Sequence, residues 1–395
     1  MVADASKPSP KSHNNANEIQ NQIIFTCVEA FRHLRFLLVA GEPRASKSRD
    51  LGQQGPPIPW CRRAWEKPAL PTPALIPVPS DKPCPSDASI HPCTCVADDQ
   101  LNVDVDCSAV TGEDELREIF QNNFPSTHCR RLTIYENQNL GTLREGDLGT
   151  ATFQEIWITE GALTTVQPNA LSESFSTAKY LVFNYNSISE FPFSQLSSFT
   201  NLLSLDLRHN NLKGFPGLNS TTLQSLYFTK NPLGHLPVDA FVNTPALSDI
   251  QLSQTGIHDL ESGTFSGLPN LRNVALGGNH LTSLRENSVE FDNRKGLVDV
   301  GCNDIHTVAA NAFPGLIKGW VYIHHNHLTE LAESAWWTLL NNGGYVDAFD
   351  NPLQCGCDVA WLVRNSTLLH EVDIYTTCAN GVPLRSLDPA DYRDC

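Results

Sequence analysis

The chain has 395 residues, a formal net charge of −16 and 12 cysteines. The acidity is uneven: residues 1–80 hold 10 Lys and Arg against 6 Asp and Glu, whereas residues 81–395 hold 17 against 37. An acidic body of this kind is a poor nucleic-acid binder, because phosphate contacts need Lys and Arg, and no stretch is long and apolar enough to span a bilayer.

Residues 1–22 are polar. Ile23 to Ala40 is partly apolar but is broken by Glu29, Arg32, His33 and Arg35, so it lacks the uninterrupted core of a secretory signal. Residues 56–83 are proline-rich, as in Pro71-Thr72-Pro73 and Pro77-Val78-Pro79, and read as extended and unpacked. Residues 1–82 are therefore expected to be a disordered segment that contributes nothing to the fold. They read as a leader or linker of unusual type or, the preferred reading, as a start assigned in the wrong place.

Cys84, Cys93, Cys95 and Cys107 follow, and residues 83–130 read as a cysteine-rich cap. A repeat then runs through residues 131–353. Its cleanest copy is Leu202-x-x-Leu205-x-Leu207-x-x-Asn210-x-Leu212, and the same frame gives Leu223, Leu226, Phe228, Asn231 and Leu233. The position of Asn210 recurs as Asn137, Gly161, Asn186, Asn210, Asn231, Thr255, Asn279, Asn303, Asn326 and Asn351, at spacings of 21 to 25 residues. Alternation of apolar and other residues marks a short strand with one buried face. One such unit cannot bury its own apolar side chains, so about ten coils must stack into a solenoid with a parallel sheet.

The amide of each turn asparagine has donors and an acceptor for backbone groups that would otherwise be buried and unpaired. Asn186, Asn210, Asn231, Asn279, Asn303, Asn326 and Asn351 are thus read as structural. The coils of Gly161 and Thr255 should be weaker or locally different. The first coil is irregular, with Leu140 arriving one residue late. Ten residues after the turn stand Phe241, Phe265, Phe313 and Trp336, which predict an aromatic spine along the back.

Residues 354–395 hold Cys355, Cys357, Cys378 and Cys395 and read as a second cap. Two end coils expose apolar interior, and tied caps cover it. Zinc is the competing reading, but Cys93-Thr94-Cys95 and Cys355-Gly356-Cys357 have one-residue gaps where zinc pairs have two to four. Disulfides place the chain in an oxidising, extracellular compartment. Asn219-Ser220-Thr221 and Asn365-Ser366-Thr367 are glycosylation sequons that fit such a compartment. Cys129 and Cys302 lie seven coils apart, roughly 30 Å, and are read as unpaired. No stalk or anchor signal follows Cys395, so a signalling receptor is not expected.

No phosphate loop, nucleophile elbow or zinc-protease motif occurs in the sequence. The run His324-His325-Asn326-His327 invites a metal reading. The register assigns it to the strand exit and turn, and the three histidines are read as plain surface residues. No cofactor and no metal are expected. What remains is a binding face. Between the two interior positions of successive coils stand Thr133, Trp157, Val182, Asp206, Tyr227, Gln251, Ala275, Asp299, Tyr322 and Asp347. Just after them stand Tyr135, Thr159, Asn184, Arg208, Thr229, Ser253, Gly277, Gly301, His324 and Phe349. Exposed aromatics are typical binding anchors, so Tyr135, Trp157, Tyr227, Tyr322, His324 and Phe349 are the candidate partner contacts.

The run Asn351-Pro352-Leu353-Gln354-Cys355-Gly356-Cys357-Asp358-Val359-Ala360-Trp361-Leu362 resembles the C-terminal flank of extracellular leucine-rich-repeat proteins. Cys84-Pro85, Pro92-Cys93-Thr94-Cys95, Asp106-Cys107-Ser108 and Leu387-Asp388-Pro389-Ala390-Asp391-Tyr392 are similar to a narrower arthropod family. That family is named after the non-catalytic subunit of Oplophorus-type luciferin 2-monooxygenase. The resemblance covers about four fifths of the chain and leaves out the N-terminal segment. It implies a leucine-rich-repeat horseshoe of the α/β type, pairings Cys84–Cys95, Cys93–Cys107, Cys355–Cys378 and Cys357–Cys395, and a secreted, non-catalytic scaffold. The partner it implies is a small catalytic subunit, and the concave face is where repeat proteins hold partners. The alternative is an extracellular recognition or matrix protein with no enzyme partner.

Overall fold

The computed structural model describes residues 84–122 and 128–395. The expectation for residues 1–82 lies outside them. Within the described residues a 12-stranded sheet runs the length of the repeats. Strands β1 (Thr94–Ala97) and β2 (Val103–Asp106) form an antiparallel hairpin in the N-terminal cap. Then come β3 (His128–Tyr135), β4 (Thr152–Thr159), β5 (Tyr180–Val182), β6 (Ser204–Asp206) and β7 (Ser225–Tyr227). The last five are β8 (Asp249–Gln251), β9 (Asn273–Ala275), β10 (Leu297–Asp299), β11 (Trp320–Tyr322) and β12 (Tyr345–Asp347). From β2 onward each strand pairs in parallel with the next.

The pairing register is the leucine frame. Leu132, Ile156, Leu181, Leu205, Leu226, Ile250, Val274, Val298, Val321 and Val346 form one continuous row. All are buried. Fully burying such a side chain contributes about 1.5–3 kcal/mol, and no coil could do this alone.

Each coil leaves its strand through a left-handed residue placed directly before the turn position. Glu136, Glu160, Tyr185, His209, Lys230, Gln254, Gly278, Cys302, His325 and Asp350 all have φ between 52° and 68°. Non-glycine residues resist this conformation, so the turn must be held from outside. The asparagines do so across two coils. Asn210 donates through Nδ2 to the carbonyls of Phe183 (2.9 Å) and Leu207 (3.0 Å). Its Oδ1 accepts from the Ile188 N–H at 2.8 Å. Asn231, Asn279, Asn303, Asn326 and Asn351 donate in the same way to carbonyls of their own and the preceding coil. In the irregular first coil Asn137 donates to the carbonyls of Ser108 and Val110 in the cap, and its Oδ1 accepts from the N–H groups of Asn139 and Leu140, both at 2.8 Å.

The two exceptional coils differ from each other. Thr255 keeps half of the clamp: its hydroxyl donates to the Leu252 carbonyl at 2.7 Å, and Asn279 Oδ1 accepts from its N–H at 2.9 Å. Gly161 has no side chain to offer. A Cβ there would stand 2.6 Å from the Asn137 carbonyl oxygen and 3.0 Å from Asn186 Oδ1. Its turn is held from both sides: the Ala162 N–H donates to that same Asn137 carbonyl at 3.0 Å, and Asn186 Oδ1 accepts from the Gly161 and Leu163 N–H groups, both at 3.2 Å.

On the far side of the interior, Phe241 and Phe265 stack at 5.3 Å between centroids, and Phe313 meets Trp336 at 6.1 Å. All four are buried. Trp336 lies on helix α1 (Glu333–Asn341), which backs the last repeat.

Disulfides join Cys84 to Cys95 and Cys93 to Cys107 at one end, and Cys355 to Cys378 and Cys357 to Cys395 at the other. The Trp361 indole N–H donates to the Leu331 carbonyl at 2.9 Å, and the Tyr392 hydroxyl to the Cys355 carbonyl at 2.8 Å. The first bond ties the cap to the repeats, and the second closes the cap on itself. Cys129 is a free, buried thiol, and burial followed by the nearby Asp104 carboxylate pushes its pKa up to about 11. Cys302 corrects the sequence reading: it is disulfide-bonded, not unpaired. Its frame position before Asn303 carries no sign of this, because the left-handed residue of a coil can be of many types.

Candidate partner-binding face

Strand alternation turns three rows of side chains away from the interior. The middle row runs Thr133, Trp157, Val182, Asp206, Tyr227, Gln251, Ala275, Asp299, Tyr322 and Asp347, each in register with the next. Of the candidate contacts, Tyr135, Trp157 and Phe349 are exposed, and Tyr227 and Tyr322 are half-buried. His324 is buried at 8% exposure. The expectation that all three histidines are surface residues therefore fails for His324. Its ring lies over Gly301, where a Cβ would meet Nε2 at 2.6 Å. A glycine in the preceding coil left room that the imidazole fills.

A third row was missed by the sequence reading. It precedes the first interior position and runs through Arg131, Glu155, Tyr180, Ser204, Ser225, Asp249, Asn273, Leu297, Trp320 and Tyr345. Tyr180 and Trp320 are exposed. Parity alone would have found them, since they sit two residues before the middle row. Tyr185, also exposed, stands at the left-handed position and stacks on His209 at 4.0 Å.

The two ends of the face differ in charge. Near the N-terminal end, Arg131 lies 4.8 Å over the Trp157 ring, and its Nε donates to Glu155 at 2.7 Å. Arg208 lies 5.4 Å over the Tyr227 ring, and its Nε donates to Asp206 at 2.9 Å. The Tyr227 hydroxyl donates to Asp249 at 3.0 Å. Burial, then Asp249, pushes that phenol up to about 12, so it stays a donor. Near the C-terminal end the charged groups are carboxylates and histidines. His324 Nδ1 is 3.3 Å from Asp347 Oδ2, an ion-pair distance without hydrogen-bond alignment. Burial alone would lower the pKa of His324, but Asp347, then Asp299 and Asp350, outweigh it and hold it above its usual value. Burial raises the Asp299 carboxyl, with His324 and the Gly301 N–H partly offsetting it. His325 Nδ1 meets Asp350 at 2.6 Å. Among the described residues no group of three or more His, Cys, Asp or Glu is arranged to hold a metal ion.

The sequon asparagines lie elsewhere. Asn219 is exposed, while Asn365 is half-buried and caps a short helix by accepting from the Leu368 N–H at 3.3 Å.

Residues 221–281 match the family model for the leucine rich repeat. Over 313 residues the chain is 37% identical to the Oplophorus-luciferin 2-monooxygenase non-catalytic subunit of Oplophorus gracilirostris, covering 78% of this chain and 87% of that protein. The chain belongs to that family. As a relative of a named non-catalytic subunit, it is a leucine-rich-repeat scaffold and not an enzyme. It is also 27% identical over 246 residues to Toll-like receptor 9 of Mus musculus, covering 51% of this chain and 23% of the receptor. The fold matches a chain of the octameric complex of Latrophilin 3, Unc5D and FLRT2. There the TM-score is 0.56 at 20% identity, over 77% of this chain and 98% of that one.

Proposed function

We propose that the chain is a secreted scaffold that holds a protein partner on the concave face of its sheet. The observation that carries this is the set of exposed aromatics on the three outward rows: Tyr135, Trp157, Tyr180, Trp320 and Phe349. Large aromatic side chains left in solvent on a rigid sheet are preorganised anchors, and burying them against a partner costs little further ordering. The four cap disulfides fit an oxidising compartment, and the sequons at Asn219 and Asn365 suit it. The family suggests the partner: the catalytic subunit of a monooxygenase.

The test is affinity purification of the tagged chain from its native secretion, followed by titration of what co-purifies. A small oxygenase subunit supports the catalytic-partner reading. A matrix or receptor protein supports a recognition role with no enzyme. Trp157→Ala should weaken the complex by about 2 kcal/mol while leaving thermal unfolding unchanged. Unchanged binding in Trp157→Ala, Trp320→Ala and Tyr322→Ala alike, with loss on convex substitutions, would overturn the concave assignment.

A further inference from the structure

The strands of the repeats carry one local device three times. In each case an aspartate in the middle row accepts from the N–H two residues on: Asp206 from Arg208 at 3.0 Å, Asp299 from Gly301 at 2.9 Å and Asp347 from Phe349 at 3.0 Å. In the first two, the register places a tyrosine beside the aspartate on the next strand, Tyr227 and Tyr322. The side chain that completes the device differs. Arg208 reaches back to Asp206 and lies over Tyr227, so one guanidinium serves both the carboxylate and the ring. Gly301 offers nothing, and Phe349 adds another ring.

The C-terminal end is thus left with the anionic and aromatic halves of the device and no permanent cation. Trp320, Tyr322, Tyr345 and Phe349 stand among Asp299, Asp347, Asp350 and Asp373. Among the described residues, no Lys or Arg lies over any of these rings or pairs with any of these carboxylates. Arg385, whose charge acts on Tyr345, commits its guanidinium to the carbonyls of His370 and Val372. Only imidazoles stand in. His324 occupies the room above Gly301, yet its buried Nδ1 has no hydrogen-bond partner. Its close charged neighbour is the Asp347 carboxylate at 3.3 Å, so the cluster's permanent charges are all negative.

We propose that this end of the face takes an arginine- or lysine-bearing segment of the partner protein. The incoming cation sits over Trp320 or Tyr322 and pairs with Asp347, as Arg208 does internally with Tyr227 and Asp206. This rests on the partner-binding reading above and adds the partner's chemistry and its place. A cation–π contact gains strength when desolvated, and a charge-assisted carboxylate pair is about twice as strong as a neutral one.

The probe is a synthetic Gly/Arg-repeat peptide, with Gly/Gln and Gly/Glu repeats of equal length as controls, titrated against the full chain by calorimetry. The Gly/Arg peptide alone should bind, and more weakly as salt rises. Trp320→Ala and Asp347→Asn should each weaken it about tenfold. Val242→Ala, at an exposed residue outside the three outward rows, should leave it unchanged. Because Asp347 supports a turn, Asp350→Asn and Asp373→Asn serve as second variants, and circular dichroism checks the fold of each. Equal binding of the Gly/Gln peptide, or indifference of all three aspartate variants, overturns the proposal. The purified partner separates this failure from failure of the broader reading. Weakening by Trp157→Ala but not Trp320→Ala leaves a concave partner and removes the cationic site. Weakening by neither removes both.

Discussion

The interior of the solenoid and its outward face are made by the same strands and obey different rules. Inward positions repeat: Leu205, Leu226, Ile250 and Val274 are aliphatic and buried, coil after coil. Outward positions in the same strands do not: Asp206, Tyr227, Gln251 and Ala275 share a row and little chemistry. The interior must satisfy the same packing and backbone bonds in every coil, so its residues are interchangeable along the stack. The face has no such duty, and its side chains are free to match a partner. Stability should therefore track the inward residues and binding the outward ones.

The sharpest way to break this division is to remove part of the spine. Phe265→Ala should cost about 3–5 kcal/mol in urea unfolding through the cavity it leaves beside Phe241, while the folded fraction binds normally. A loss of binding without a loss of stability would show that the spine serves the face. Asn210→Ala should cost about 1–3 kcal/mol, since the carbonyls of Phe183 and Leu207 and the Ile188 N–H lose their partner. An unchanged midpoint would refute the clamp.

Gly161 tests the coil whose turn position has no side chain. Because its missing side chain is replaced by close backbone, Gly161→Ala should destabilise by about 1–2 kcal/mol. An increase in thermal midpoint would mean that the contact with Asn137 is not limiting. On the face, Trp157→Ala should move the unfolding free energy by under about 0.5 kcal/mol. A larger loss would make the Arg131–Trp157 contact part of the fold.

The smallest effect is the pH dependence set by His324. Its pKa is raised in the folded chain above the ordinary 6.5 by Asp347, Asp299 and Asp350 against the opposing effect of burial. The stability this supplies is complete below pH 6.5 and is lost as pH rises through the folded value. His324→Gln should remove that slope, read as the difference in unfolding midpoint between pH 6 and pH 8. A slope that persists would assign it to another group.

Much of this was legible without coordinates. The spacing of Leu202, Leu205, Leu207 and Asn210, repeated ten times, determines the stack, the parallel register and the identity of the buried rows. Side-chain period in a strand is two and coil length is nearly constant, so one frame propagates along the whole sheet. The middle outward row from Thr133 to Asp347 follows from the same counting. Tertiary structure alone decided what those positions meet in the neighbouring coil. The burial of His324 depends on Gly301, 23 residues earlier, and that Cys302 is disulfide-bonded leaves no mark on the frame. That Arg208 serves both Asp206 and Tyr227, while Gly301 leaves Asp299 and Tyr322 without a guanidinium, also appears only when adjacent strands are laid side by side. Periodicity reports which way a side chain points; which groups share a pocket of low dielectric is set by contacts between coils, and those carry no period.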